Sequence, residues 1–110
     1  MKAQNIILCI TLMAVADLLP RRFVGFDGLP AADGAKALGV VEAETEASMP
    51  APVNTHGVML VEAGGAIAQG AEVQAGTDGK AIAKASGVGC GFALDAATAD
   101  GDLIRIVRGI

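Results

Sequence analysis

"FVGFDGLPAADGAKALGVVEAET", residues 23–45, decides how this chain is read. An apolar piece runs into Asp27-Gly28, crosses a stretch holding a second such step at Asp33-Gly34, and re-emerges as a small-residue apolar piece ending in acids. Asp-Gly marks a tight reversal: Asp bonds to its own backbone and Gly takes positive φ without a steric penalty. The same order returns in "EVQAGTDGKAIAKASGVGCGFALDAAT", residues 72–98, with Asp78-Gly79 displaced by 51 from Asp27-Gly28 and Gly91 by 52 from Gly39. The recurrence predicts half-repeats at about residues 21–56 and 71–110, neither able to bury its apolar face alone.

Outward from these turns the chain reads as short strands. Candidates are residues 22–26, 37–44, 57–62, 71–75, 80–85, 89–94 and 102–108. In the last, Leu103, Arg105 and Val107 fall on one face and Ile104, Ile106 and Arg108 on the other. Residues 49–53 carry Pro50 and Pro52, which predicts an edge or a loop because proline donates no ladder hydrogen bond. The segment through Asn54 and His56 reads as exposed loop. Gly28, Gly34, Gly39, Gly65, Gly70, Gly79, Gly91 and Gly101 are read as turn or close-approach positions. Helix is limited to short turns near residues 31–37 or 96–100. The fold class is mostly β: a small β-barrel or β-sandwich over residues 21–110, preceded by an apolar N-terminal strand or arm over residues 1–20.

The composition bounds the function. Of 110 residues, 22 are Ala and 15 are Gly, and only 34 are Val, Ile, Leu, Met or Phe. Alanine burial contributes far less than the roughly 1.5–3 kcal/mol of a large aliphatic side chain. A thin core predicts support from neighbouring subunits. The net charge of −4 and the absence of Trp and Tyr argue against nucleic acid, which wants a basic face and stacking aromatics. Cys9 and Cys90 share no metal-binding or redox spacing and read as reduced, buried thiols.

No catalytic constellation is visible. Residues 87–91, "GVGCG", lack the spacing of a dinucleotide loop, and nothing places His56 beside Cys90 as a base. Glu42, Glu44 and Glu46 alternate and read as a solvated acidic face, with Asp95, Asp100 and Asp102 as partners if the halves stack. Lys80 follows a turn, as a lipoyl or biotinyl lysine does, without the flanking residues of those domains. Residues 6–16 form an apolar run ending in Ala14-Val15-Ala16. The run fits either a buried strand or a signal peptide, and is too short to span a bilayer.

Residues 21–40 ("RRFVGFDGLPAADGAKALGV"), 61–73 ("VEAGGAIAQGAEV") and 87–110 ("GVGCGFALDAATADGDLIRIVRGI") resemble the small capsid cement, or decoration, proteins of tailed double-stranded DNA phages. The likeness is greatest to those of Mu-like phages and prophages. Gly64-Gly65, Ile67, Gly70 and Val73 fill the middle element of that pattern, and Gly91, Gly101 and Asp102 the last. The resemblance covers residues 17–110, and "EASMPAPV" (46–53) departs from it.

The resemblance implies a structural protein on the outer surface of the virion, in the host cytoplasm before assembly. It implies a homotrimer stapling the major capsid protein lattice, with no reaction, no cofactor, no nucleic acid and no membrane. It favours retention of the N-terminal segment. Capsid contacts would then come from Ile6, Ile7, Leu8, Ile10 and Leu12, and from Pro50, Pro52 and His56. The alternative is an exported β-domain, with residues 1–16 as a signal peptide, that binds a partner outside the cytoplasm.

Overall fold

A computed structural model describes residues 3–110. The strands are β1 (Asn5–Met13), β2 (Phe23–Val24), β3 (Gly39–Val41), β4 (Pro50–Glu62), β5 (Glu72–Ala75), β6 (Ala81–Ala83), β7 (Gly91–Ala93) and β8 (Leu103–Arg108). The helical content of the described residues is one 3₁₀ turn at Thr77–Gly79, not at 31–37 or 96–100. All strand pairs are antiparallel, in the order β2-β3-β4-β8-β7-β5-β6, with β1 on the opposite edge of β4. The two ends of this path approach each other at one place. Ala63 bridges Ala81 in parallel, and the Glu62 N–H donates to the Arg21 carbonyl at 2.7 Å. The sheet is thus a nearly closed barrel.

β4 is the longest strand, and its first half is not an edge. It pairs with β1 from Pro50 to Val58, while β3 and then β8 take its other side. Proline is tolerated because Pro52 stands just past the two-pair β3–β4 ladder, where its carbonyl accepts from Glu42 N–H at 2.9 Å and no N–H is required. The segment expected as loop is held extended by its own side chains. Buried Asn54 donates to Glu42 Oε1 (2.9 Å) and Thr55 Oγ1 to the Leu8 carbonyl (3.2 Å). Opposite, the β1–β4 register slips on either side of Leu8. Gly57 (φ +113°) permits this, since a Cβ there would collide with the Asn5 carbonyl.

The pairing pattern occurs twice. Leu18 and Thr45 exchange both backbone hydrogen bonds, as do Ile67 and Ala97. Val24 pairs with Gly39 as Val73 pairs with Gly91. Val53 pairs with Val41 as Ile106 does with Ala93, and Met13 with Pro50 as Glu62 does with Leu103. The displacement is 49 residues on the outgoing limb and 52, then 53, on the returning limb. β4 is therefore shared. Residues 50–54 close a first unit, β1-β4-β3-β2, and residues 58–62 open a second, β4-β8-β7-β5.

Each unit carries its own hydrophobic cluster. Leu18, Val24, Val41, Ala51 and Val53 pack together in the first, with Ile10 and Leu12 half-buried against them. Their counterparts Ile67, Val73, Ala93, Ile104 and Ile106, with Met59 and Val61, lie in the second. That cluster also takes in Phe23, Val40 and several alanines, and is the larger of the two.

Candidate functional site

The residue types that carry chemistry are each committed to local structure. Arg105 forms a two-toothed pair with Asp95 (3.0 and 2.8 Å), which also accepts the Arg105 backbone N–H. The Asp95 hydrogen bond raises the Arg105 pKa further. Asp102 accepts from the Thr98 and Ala99 N–H groups. Lys80 reaches Asp100 at 2.9 Å and Glu62 at 3.5 Å, and Glu62 also meets Arg22 at 3.3 Å. The hydrogen bond to Asp100, chiefly, holds the Lys80 pKa above its usual value. Lys80 is therefore a link in an ion network rather than a presented hairpin-tip amine.

Glu42 lies half-buried with Arg21 (2.6 Å), Asn54 (2.9 Å) and Gln4 (3.1 Å) around it. Burial pushes its pKa up, and the hydrogen bonds from Asn54, Gln4 and Arg21 outweigh that and hold it below the usual value. Glu44 and Glu46 are exposed beyond the end of β3, so the three glutamates do not share a strand face. Arg108 donates to the Leu38 and Ala37 carbonyls (2.8 and 3.1 Å), and burial lowers its pKa. Among the described residues no group of His, Cys, Asp and Glu is placed to hold a metal ion.

Both cysteines are free, but only Cys90 is buried. Cys9 is exposed because β1 turns Ile10 and Leu12 toward the core and the alternating Cys9, Thr11 and Met13 outward. His56 is exposed on β4, its Nδ1 3.1 Å from Thr55 Oγ1, and its ring lies against Gly109.

Seven of the expected glycines stand at turn or close-approach geometry, and Gly65 does not. Gly28, Gly34, Gly70, Gly79, Gly91 and Gly101 have positive φ, Gly39 lies against the Asn54 carbonyl, and Gly65 has open space around it. Of the other expected positions, Ile6, Ile10 and Leu12 turn inward against the two clusters. Ile7, Leu8, Pro50 and His56 are exposed and Pro52 half-buried.

The notable surface is apolar. Ile7 is 82% exposed at the register slip, on a strand that pairs with β4 alone among the described strands. Val15 (61%), Phe26 (59%), Met13 (57%) and Met49 (52%) are exposed at one end of the first unit, with Leu29 beside them. Backbone contacts draw these together: Ala14 N–H donates to the Met49 carbonyl (2.9 Å) and Val15 N–H to the Gly28 carbonyl (3.0 Å). Sequence reading passed over Met13, Val15, Phe26, Leu29 and Met49 because lone exposed apolar residues are ordinary and their convergence is tertiary.

A family model described as phage cement protein matches residues 1–108. No curated protein matches the sequence. Among solved structures, the chain is similar to the head fiber gp8.5 N base in bacteriophage phi29, at a TM-score of 0.72 and 24% identity, covering 91% of this chain and 92% of that one. The likeness in structure is one of fold.

Proposed function

Because this chain belongs to the phage cement protein family, we propose that it is a structural, non-enzymatic protein that binds the outer surface of the assembled phage head and stabilises the major capsid protein lattice. The observation that carries this reading is the family match, which runs over residues 1–108. The surface supports it: exposed apolar side chains on β1 and around the 43–50 turn suit adhesion, and many symmetric copies on one lattice make modest single contacts sufficient.

Self-association as a homotrimer would use the edge of β1 away from β4, where Ile7 and Leu8 stand exposed. Head contact would use Pro50 and the neighbouring turn. Before assembly the protein would reside in the host cytoplasm, and a prophage is a fitting source.

The test is to add purified protein to expanded heads that lack it, then measure co-sedimentation and heat resistance. Binding in a fixed ratio to capsid subunits, with heads surviving to higher temperature, is expected. Absence of binding, or heads no more heat-resistant than before, would overturn the reading.

A further inference from the structure

The two units differ most at the end where the first is apolar. The structurally equivalent positions invert each other's chemistry. Met13, Val15 and Met49 in the first unit correspond to Glu62, Gly64 and Asp102 in the second. The turns match as well: Gly25 N–H donates to the Leu29 carbonyl as Gly76 N–H does to that of Lys80. In turn order Phe26 and Leu29 correspond to Thr77 and Lys80, but the second hairpin is two residues longer on each arm: Gly64 N–H donates to the Ala81 carbonyl where Val15 N–H donates to that of Gly28, so beside this end Leu29 takes the place of Ile82. Around the rim the inversion runs the other way. Asp17, Glu44 and Glu46 stand where the second unit has Ala66, Ala96 and Ala99.

At the second unit's version of this end the charged side chains pair within the chain. Glu62 and Lys80 join Arg22 and Asp100 in the ion network, and the turn at Gly79 seats on the Phe23 backbone, where a Cβ would come within 2.6 Å of the carbonyl. The first unit's turn rests on the end of β1, with Gly28 against the Met13 carbonyl and Val15, and leaves Phe26 and Leu29 exposed. An apolar face exposed in one copy of a motif, where the other copy carries paired charges, has the character of an interaction surface.

The rim says which partner. Asp17 and Asp27 cap the Ala47 and Leu29 N–H groups, and Glu44 and Glu46 line a hollow with Met49 and Pro50. None of the four takes part in an ion pair among the described residues. Lys36 stands 6.0 Å from the Phe26 ring, and Arg22 lines a hollow with Asp17 while paired to Glu62. Two copies meeting here would oppose carboxylate to carboxylate, which disfavours a homotypic contact.

We infer that this end of the first unit docks onto a partner protein surface that is apolar at its centre and basic at its rim. Resting on the proposed function, that surface is on the outside of the assembled head.

The test uses expanded heads lacking the protein and three forms of the full chain: native, Met13→Glu/Met49→Asp, which copies the second unit's residues, and Glu44→Lys/Glu46→Lys. Both changes fall on exposed side chains, and the charge reversal keeps the test decisive if the first variant does not fold. Each variant is expected to bind about tenfold or more weakly, with native binding weakened by salt and the charge-reversed form less salt-sensitive. Native binding with both variants unchanged would overturn this face while leaving the proposed function standing. Failure of the native protein to bind would overturn both. A change in sedimentation of the free variants would mark the face as a self-contact and overturn the inference.

Discussion

The two units share a hydrogen-bond pattern and differ in how they are filled. At the site where the first has Ala51, Val53 and half-buried Ile10, the second has fully buried Ile104, Ile106 and Met59. Where the first places Glu42 among Arg21, Asn54 and Gln4, the second has Leu94. Where the first ends its ladder at Pro52, the second has Arg105, whose N–H is taken by Asp95. One backbone design thus supports two fillings: a second unit whose equivalent inward positions carry larger, fully buried side chains, and a first unit that leaves several apolar side chains exposed.

The comparison breaks most visibly in the cores. Met59→Ala is expected to cost about 2–5 kcal/mol, and Ile10→Ala, at the equivalent but half-exposed position, less than half of that. Urea denaturation of both variants measures it, and equal losses would refute this difference in filling. Next come the paired turns. Gly28 and Gly79 share positive φ and each lies against a carbonyl, so Gly28→Val and Gly79→Val should each cost about 2–4 kcal/mol. A thermal melt in which only one variant is destabilised would show that the two turns are not equivalent.

Asp95→Ala sharpens the difference at the ladder ends. It leaves the Arg105 N–H and guanidinium without their acceptor, for an expected loss of about 1–3 kcal/mol by chemical denaturation. The smallest effect is the pH dependence of the first unit. The Glu42 pKa is lowered in the fold, so its contribution is present above the unfolded value near 4.5 and is lost as pH falls through the folded pKa. In Glu42→Gln the acid limb of a stability–pH curve should be shallower, by less than about 1 kcal/mol given the group's partial exposure. An unchanged limb would assign the acid sensitivity elsewhere.

Much of the sheet was legible because β-branched runs bounded by glycines leave few alternatives. Residues 22–26, 37–44, 57–62, 71–75, 80–85, 89–94 and 102–108 each contain or overlap an observed strand. The alternation of Leu103, Arg105 and Val107 against Ile104, Ile106 and Arg108 separates two faces of β8, and the structure buries Ile104 and Ile106. The N-terminal half of β4 was not legible. Prolines and a histidine argue locally for a loop, and only the two strands flanking them show that their missing donors are not needed. The exposure of Cys9 followed from which face of β1 meets the core, and a single-strand reading could not assign it.

By itself the sequence determined the class of fold, the positions of the reversals at Asp27-Gly28 and Asp78-Gly79, and a net charge of −4 with no Trp or Tyr. These are local or compositional properties, set by backbone freedom at glycine and by net charge. Only the tertiary structure decided that β4 serves both units, that the pairings align at 49 and 53 residues as well as at 51 and 52, and that backbone pairing brings the segments carrying five exposed apolar residues to one end. Those facts rest on hydrogen bonds between residues far apart in the chain, and small insertions between strands shift the alignment without weakening any of the pairings.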